Sequence, residues 1–378
     1  MTPTLRTQHG ILELPAFLPD ATRGVVRSLD AIDLERCGIP GLVVNTYHLM
    51  LHPGAKRIRQ LGGCHHFMNW HKPILTDSGG FQIFSLIHQN PKYGSIRKNE
   101  IIFRTEIGGR KQLLTPEKSI RIQANLGADI MVCLDDCPKT DASDDENQLA
   151  VARTVAWAKL CKAEFDKLFD KKADDRPLLF AVIQGGTSFD LRRRCAEELL
   201  AMGFDGFGFG GWPLDAQRGL LTDTLSFTAN LIPDEFPKYA MGIGKPENIA
   251  ACFEMGYTLF DCALPTRDAR HGRLFVFTDS HFSGFTDGSF YRAVYLQDSQ
   301  HLHHSEPLSD ICDCHCCRNY SLAYLHHLYM IGDSLASRLA TIHNLRFYSM
   351  LMEKLKQRQT QYPVLDSDDK DMVGANNE

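Results

Sequence analysis

The chain has 378 residues, 43% of them hydrophobic and 23% charged, a balance that is typical of a globular protein. No apolar run is long enough for a membrane helix and the amino terminus lacks a signal-peptide pattern, so we expect a cytoplasmic protein with no membrane contact. The net charge of −5 argues against a generally basic nucleic-acid-binding surface, although it leaves room for a local basic patch.

Apolar strand-like segments alternate with helical ones over most of the chain. The pattern at 11–18 predicts an opening hairpin, and Ser28 is the predicted cap of a helix that ends at Gly38. Further strands are predicted at 42–46, 73–76, 130–134, 178–183, 204–209, 239–241 and 257–261. Helices are predicted from Thr115 to Gly127 and at 145–168, 190–202, 217–230 and 246–254.

The predicted strands are apolar on both faces, which indicates a parallel sheet covered by helices. About seven strand–helix units fit into residues 1–284, and no GxGxxG fingerprint follows the first strand. We therefore predict an α/β protein whose residues 1–284 form a (β/α)8 TIM barrel rather than an open doubly wound sheet.

Polar or glycine residues follow five of the predicted strands, at the end where such barrels carry their active sites. They are Asp77, Asp135, Gln184, Gly211 and Asp261. Carboxylates that converge on one barrel end repel one another, so a function is the natural reason to gather them. One could act as a nucleophile, a second as an acid or base, and a third as a hydrogen-bond acceptor. The alternative, unrelated turn caps, requires the same accident at three strands.

Four further residues near these strand ends suit a nucleic-acid substrate. Arg267 and Arg270 follow Asp261 in a predicted polar loop, and guanidinium groups bind phosphates and base edges. Phe81 and Met241 could sandwich a flat ring, although either residue alone is more often part of a core.

The clearest metal signal is a Cys-x-Cys-x-x-Cys cluster followed by a histidine in a predicted helix. Three thiolates and an imidazole suit structural zinc, so Zn2+ is predicted on Cys312, Cys314, Cys317 and His343. The alternative is a set of reduced or redox-active thiols, among which Cys316 confuses the choice. Residues 285–358 are the predicted zinc-binding subdomain with its closing helices, and the polar residues 359–378 are a predicted disordered tail.

Several long motifs, and their order along the chain, resemble those of the tRNA-guanine transglycosylases of bacterial type, which are zinc-containing barrel enzymes of queuosine biosynthesis. They are NTYHL at 45–49, LTDSGGFQIFSL at 75–86, DDCP at 135–138, QGG at 184–186, FDG at 204–206, MGIG at 241–244, FDCALPTRDARHG at 260–272, CxCxxCRNYSLAYLHHL at 312–328 and TIHN at 341–344.

The resemblance implies an enzyme that replaces the wobble guanine of tRNAs with GUN anticodons by a 7-deazaguanine base. That base is 7-aminomethyl-7-deazaguanine or queuine. By position, Asp261 resembles the nucleophile that forms a covalent tRNA intermediate, and Asp77 the general acid/base. The remaining matches are Asp135, Gln184 and Gly211 for hydrogen bonds to the base, Phe81 and Met241 for stacking, Asn45 and Cys137 within the substrate-binding motifs, and Arg267 and Arg270 for the anticodon loop.

The family resemblance also implies one structural zinc ion per subunit and a homodimer. Tyr320, Tyr324 and His327 follow the cysteine cluster at helical spacing and predict an aromatic face at the subunit interface, although the face could instead pack within the monomer. A rival hypothesis is a catalytically silent tRNA-binding paralogue or partner subunit. The presence of both Asp77 and Asp261 speaks against it.

The largest departure from the family pattern follows Gly211, where Trp212-Pro213-Leu214-Asp215-Ala216 replaces Leu-Ala-Val-Gly-Glu. In bacterial relatives this segment binds the aminomethyl group of the pre-queuosine base with the help of that glutamate. Ala216 cannot supply the carboxylate, so preference for the aminomethyl base is predicted to weaken and queuine to be accepted. The alternative is that the loop forms the same acceptor by another route. Smaller departures are Asp20-Ala21-Thr22, Asp136 and His271.

Overall fold

The structure is a computed structural model that describes residues 3–170, 173, 175–285 and 288–361. It opens with an antiparallel hairpin of β1 (Thr4–Thr7) and β2 (Gly10–Glu13). The hairpin predicted at 11–18 was therefore placed too late in the chain. Leu14 and Pro15 separate β2 from the next strand, and proline lacks the N–H that a continuous paired strand needs.

The first three barrel strands and the helices between them span residues 16–76. They are β3 (Ala16–Pro19), α1 (Ala31–Arg36), β4 (Leu42–Val44), α2 (Thr46–Leu51), α3 (Ala55–Gln60), α4 (Gly63–Met68) and β5 (Ile74–Thr76). The cap predicted at Ser28 is wrong, because the Asp30 side chain accepts the backbone N–H of Asp33 at 2.9 Å and begins α1. Ser28 itself has a φ of 75°, which does not suit an N-cap.

An insertion that the sequence pattern did not predict follows β5. It contains α5 (Gly80–Gln89) and an antiparallel sheet of β6 (Gly94–Ile96), β7 (Ile101–Phe103) and β8 (Gln112–Leu114). Each of these strands has three residues, which is too short for a two-residue alternation to stand out. Residues 94–114 are called the flap below.

The remaining strand–helix units run from residue 116 to residue 270. They are α6 (Pro116–Leu126), β9 (Ile130–Val132), α7 (Asp144–Leu168), β10 (Leu178–Ile183), α8 (Phe189–Leu200), β11 (Gly206–Phe209), α9 (Thr222–Leu231), β12 (Lys238–Ala240), α10 (Pro246–Glu254), β13 (Leu259–Cys262) and α11 (Leu264–Arg270). Thr115 caps α6 as predicted, since its hydroxyl accepts the N–H of Lys118 at 3.1 Å. Arg267 and Arg270 lie in α11, so the prediction of a loop there is wrong. Pro265 stands in the first turn of this helix, where proline is compatible with helical structure.

Eight parallel strands form the central sheet, in the order β3-β13-β12-β11-β10-β9-β5-β4. A parallel bridge between Asp20 and Val43 joins its two edges, and the N–H of Ala21 donates to the Val43 carbonyl at 2.7 Å. This closure confirms the predicted barrel. Leu5 and Leu12 of the opening hairpin pack into the same buried cluster as the inward-facing strand residues Leu75 and Val182, so the hairpin covers the amino end of the barrel.

The carboxyl-terminal part packs against the barrel through one long helix. Its elements are β14 (Arg273–Phe277), β15 (Tyr291–Tyr295), α12 (His315–Asn319), α13 (Leu322–Met330) and α14 (Ser334–Gln361). The Asn344 amide donates to the carbonyls of Pro265 and Arg273 and accepts the N–H of Phe275, which ties α14 to α11 and β14. The predicted tail at 359–378 begins within α14, and its residues 362–378 lie outside the described part of the chain. In the part that is described, no helix has the combined length and hydropathy of a membrane span.

Candidate active site at the carboxyl end of the barrel

Asp77 directly follows β5, at the carboxyl end of the barrel that is called the mouth below. The backbone N–H groups of Thr46 and Gly79 donate to its Oδ1 at 2.8 and 3.0 Å. The side-chain amides of Asn45 and Gln82 donate to its Oδ2 at 2.5 and 3.4 Å. The predicted pocket residue Asn45, which also caps α2, thus contacts the predicted acid/base.

The proton affinity of Asp77 is unusual for a carboxyl group. Burial is the main reason that its pKa is raised to about 7, and the nearby carboxylates of Asp20 and Asp261 act in the same direction. A carboxyl group with a pKa near neutrality can both accept and donate a proton at physiological pH, as general acid–base catalysis requires.

Asp261 lies at the end of β13 and has one oxygen fixed. The hydroxyl of Tyr239 and the N–H of Gly242 donate to its Oδ1 at 2.7 and 2.8 Å. Its Oδ2 accepts no hydrogen bond from any described residue. Burial raises the pKa of Asp261 as well. The carboxylate is therefore oriented by two donors and presents a second oxygen that is available for bonding.

Asp20 is a third mouth carboxylate, which the sequence analysis noted only as a departure from the family pattern. It follows β3, accepts a hydrogen bond from the Thr22 hydroxyl, and burial raises its pKa. Its charge raises the pKa of both Asp77 and Asp261. An acid directly after an apolar strand was the signal that could have found it.

A second group of predicted residues meets beside the ends of β9, β10 and β11. The amide of Gln184 donates to Asp135 Oδ2 at 2.7 Å. Burial raises the pKa of Asp135 to about 6. The Gln184 Oε1 is buried and has no hydrogen-bond partner among the described residues. Cys137 is buried next to the Gln184 amide and the N–H of Gly211.

The backbone beside this second group requires glycine at two positions. A Cβ at Gly210 would lie 2.6 Å from the Gln184 Nε2, which is far too close. Gly211 has a φ of 90°, a conformation that side chains with a Cβ rarely adopt. A buried amide oxygen without a partner, beside a carboxyl and a bare backbone, is the lining expected for a polar flat ligand.

A buried guanidinium that was not predicted from the sequence holds the backbone around these glycines in place. Arg192 of α8 donates to the carbonyls of Ile183, Gly186 and Gly210 at 2.9–3.0 Å. It also lies 4.0 Å from the centre of the Phe209 ring, and burial lowers its pKa to about 10. Among the consecutive arginines of LRRRC, only its position on the apolar face of α8, with Cys195, Ala196 and Leu199, could have singled it out.

Two aromatic rings stand at the rim of the mouth. Phe81 is 46% exposed and Trp212 is 43% exposed, with ring centroids 5.5 Å apart. The Trp212 Nε1 donates to the carbonyl of Pro138 at 3.1 Å and so links the loops that follow β9 and β11. Met241 packs against β11, where a Cβ on Gly208 would meet its sulfur at 2.9 Å.

The two predicted arginines differ in the exposure and the contacts of their side chains. The side chain of Arg267 is 58% exposed and is 3.9 Å from the carboxylate of Asp268. Arg270 is half-buried and donates to the Thr266 carbonyl at 2.8 Å. Arg267 is therefore the more available of the two for an anionic ligand.

The predicted metal ligands come together in the carboxyl-terminal part of the chain. The ligand atoms of Cys312, Cys314, Cys317 and His343 all lie within 4.8 Å of one another, and all four residues are buried. His343 turns its Nδ1 toward the sulfurs, 3.3 Å from that of Cys317. Its Nε2 donates to the Phe275 carbonyl at 2.7 Å. That hydrogen bond leaves Nδ1 free to bind a metal ion, and three sulfurs with one nitrogen suit a closed tetrahedral site.

A second cluster of ligand-type residues, His9, His65 and Asp129, lies at the amino end of the barrel. The two imidazole rings are stacked, with centroids 3.5 Å apart and planes 14° apart. A metal ion binds in the plane of an imidazole, so stacked rings cannot both direct a lone pair at one ion. Hydrogen bonds to the Asp129 carboxylate, at 2.9 Å from His9 and 3.1 Å from His65, account for this cluster.

Comparison with known proteins agrees with this geometry. The family model described as Queuine tRNA-ribosyltransferase matches residues 2–361. A protein named Queuine tRNA-ribosyltransferase from Caldanaerobacter subterraneus subsp. tengcongensis is 40% identical over 362 residues, which cover 96% of this chain and 90% of the relative. Proteins with the same name from Shewanella sediminis and Acinetobacter baumannii are 40% and 41% identical. They align with 92% and 93% of this chain, and with 87% and 88% of their own lengths.

Proposed function

The chain belongs to the queuine tRNA-ribosyltransferase family, and from this we propose that it exchanges the wobble guanine of tRNAs with GUN anticodons for a 7-deazaguanine base. The reaction is that of a tRNA-guanine transglycosylase, a pentosyltransferase of queuosine biosynthesis. One observation carries the proposal beyond family membership: two carboxylates in different environments share one mouth. Asp77 is saturated with donors and has a pKa of about 7, whereas Asp261 keeps one oxygen unbonded.

In the proposed first displacement, Oδ2 of Asp261 attacks C1′ of the ribose. The glycosidic bond breaks, guanine leaves with a proton, and the tRNA is held through a covalent bond to Asp261. The donors Tyr239 and Gly242 support this role because they fix Oδ1 and so aim Oδ2.

In the second displacement the incoming base attacks C1′ and releases Asp261. In the first step Asp77 donates its proton to the departing guanine, and in the second the ionised Asp77 takes the proton from the ring nitrogen that forms the new bond. A pKa of about 7 suits both transfers.

Asp135, Gln184 and Gly211 are proposed to read the base edge. The ionised Asp135 accepts from the N–H groups of guanine or its analogue. One N–H of the Gln184 amide is used by Asp135, which leaves the second N–H and that of Gly211 to donate to the carbonyl of the base. Phe81 and Met241 are proposed to stack on its two faces.

We further propose that queuine is accepted as the inserted base. Asp215, the nearest carboxylate to the missing glutamate, is already used within its own loop. Its Oδ1 accepts the N–H groups of Gln217 and Gly219 at 2.9 and 2.7 Å. It is therefore poorly placed to support binding of an aminomethyl group, and Ala216 has no polar side chain.

The metal is proposed to be one structural Zn2+ per subunit. The Cys3His donor set, its burial and its place in the carboxyl-terminal part rather than at the strand ends support a structural role rather than a catalytic one. Bound zinc would tie α12 to α14 and support the fold of the carboxyl-terminal part.

An exchange assay tests the proposed function. The wild-type protein should incorporate radiolabelled guanine into a tRNA with a GUN anticodon, and should not label the same tRNA with the wobble guanine changed to adenine. Absence of incorporation with a correctly folded, zinc-loaded protein would favour a catalytically silent tRNA-binding paralogue.

A further inference from the structure

The flap is a strongly basic part of an acidic protein. Residues 94–114 contain five Lys or Arg against two Glu, a net charge of +3 in a chain whose total is −5. The rest of the chain therefore carries −8. Concentrating positive charge on one small sheet raises the electrostatic energy of the free protein, so a polyanionic partner is the natural reason for it.

The chain path places both ends of this insertion on the catalytic side of the barrel. It leaves the mouth at α5, which begins three residues after Asp77. It returns at α6, where the Ser119 hydroxyl donates to the Ser78 carbonyl at 2.7 Å. The ten residues of α5 span about 15 Å, so the flap begins about that far from the start of the helix.

The flap is anchored rather than loosely tethered. Ile101, Phe103 and Leu114 are fully buried, and the Phe103 ring lies 5.9 Å from that of Tyr47. The indole Nε1 of Trp157 donates to the Lys98 carbonyl at 2.8 Å. The flap cations lie in the loops at 97–100 and 104–111, which connect these strands. A sheet that is fixed by its buried residues holds these loops without a large ordering cost when it binds.

Most of the flap cations have no anionic partner within the described chain. Lys98, Arg110 and Lys111 are exposed and make no ion pair with a described residue. Arg97, by contrast, pairs with Glu100 at 3.4 Å. Unpaired cations at the rim of an RNA-modifying site are available to phosphate groups.

We propose that the flap binds the sugar–phosphate backbone of the substrate tRNA, outside the nucleotide that enters the mouth. This inference rests on the proposed function, because it assumes that tRNA is the substrate. The contact adds affinity without reading sequence, since the groups that reach the RNA are charged side chains directed at phosphates.

The test compares two triple variants of the full-length protein. One is Lys98→Ala/Arg110→Ala/Lys111→Ala on the flap. The control, Arg6→Ala/Lys159→Ala/Lys167→Ala, removes the same charge from exposed positions on the opening hairpin and on α7. The tRNA dissociation constant is measured between 50 and 300 mM salt, together with kcat for guanine exchange and KM for tRNA.

In the flap variant, Kd and KM for tRNA should each rise on the order of tenfold near physiological salt, while kcat stays unchanged. The slope of log K against log salt should fall in magnitude by about 2. The control should match the wild type. Equal slopes and Kd values for the two triple variants would overturn the flap proposal while wild-type exchange of guanine still upheld the proposed function. Failure of the wild type to bind tRNA or exchange guanine would instead overturn both.

Discussion

At the residue scale, the two mouth carboxylates differ in how many hydrogen bonds they accept and therefore in the chemistry that they suit. Asp77 accepts four hydrogen bonds and Asp261 accepts two, both on one oxygen. A carboxylate surrounded by donors is a poor nucleophile because its electron pairs are engaged. One with an unbonded oxygen is better suited to attack carbon.

Replacing Asp261 with asparagine should abolish the covalent protein–tRNA adduct on denaturing gels, because an amide oxygen is too weak a nucleophile to displace guanine. Binding of tRNA should be retained within a few-fold of the wild type. An adduct formed at normal yield by Asp261→Asn would assign the nucleophile elsewhere. The control is Asp215→Asn, which alters an exposed loop carboxylate.

The kcat/KM for the incoming base should rise with pH between about 6 and 7. Asp135, with a pKa of about 6, must be ionised to accept from the base, and Asp77, with a pKa of about 7, must be ionised to take its proton. Both pKa values are raised by burial, so activity is lost as pH falls through this window. Measuring kcat/KM for the base from pH 5 to 9 checks this, and a flat profile would contradict it.

Asp77→Asn should lower kcat by about 100-fold or more.

At the scale of elements, the loops that follow β9 and β11 determine the shape of the base pocket. Arg192 of α8 holds three backbone carbonyls at the ends of β10 and β11, so Gln184 and Gly211 are positioned by a residue that need not touch the ligand. Trp212 extends this support to the rim by donating to the Pro138 carbonyl.

Introducing a carboxylate after Gly211 should shift base preference. Ala216→Glu should raise the ratio of kcat/KM for 7-aminomethyl-7-deazaguanine to that for queuine by about tenfold, because a charged hydrogen bond is worth about 1.5–3 kcal/mol. Ala216→Gln, which lacks the charge, should change the ratio less. If the wild type already strongly prefers the aminomethyl base and leaves queuine unused, the proposal that this loop relaxes specificity is wrong.

The cluster of Cys312, Cys314, Cys317 and His343 joins α12 to α14, so the proposed zinc ion should control the stability of that part of the chain. Cys317→Ser, or chelation, should remove the zinc ion, lower the melting temperature and weaken tRNA binding. Cys316→Ser is the matched control, since Cys316 is an adjacent buried thiol that lies outside the ligand group. The check is metal content per chain with a thermal melt, and a metal-free protein with full activity and unchanged melting temperature would contradict the prediction.

At the scale of the whole molecule, apolar and aromatic groups stay exposed on the carboxyl-terminal part. The rings of Tyr320 and Tyr324 stack with centroids 5.5 Å apart, and Tyr324 is 40% exposed. Tyr324 and the exposed His327 lie on α13, whereas Tyr320 directly follows α12, so the three residues do not share one helix as predicted. Met330 and Ile331, at the end of α13, are exposed as well. A surface of this composition is suited to contact with a second subunit.

The protein should therefore be a homodimer, with a solution mass of twice the chain mass of 42.6 kDa. Tyr324→Ala/Ile331→Ala should shift the equilibrium toward monomer because it removes exposed apolar area from the proposed interface. Leu149→Ala, on the exposed face of α7, should leave the mass unchanged. Light scattering across a concentration series measures this, and a wild type that is monomeric at all concentrations would contradict it.

The barrel could be predicted from the sequence, because apolar strands and capped helices leave local periodic patterns that do not depend on distant residues. The sequence also predicted that Cys312, Cys314, Cys317 and His343 form one group, and these four residues do lie together. The strand-end residues Asp77 and Asp261 were identifiable because parallel strands bring their carboxyl ends to the same edge.

The side chains that those residues contact could be seen only in the folded protein. Arg192 is one of three consecutive arginines in the sequence, yet it is buried and donates to three backbone carbonyls at the ends of β10 and β11. The orientation of Asp261 depends on Tyr239, and the raised pKa of Asp77 depends on its burial and on the charge of Asp20. Tyr239 and Asp20 are far in the chain from the carboxylates that they affect. Hydrogen bonding and burial are properties of neighbours in space, and local periodicity does not specify those neighbours.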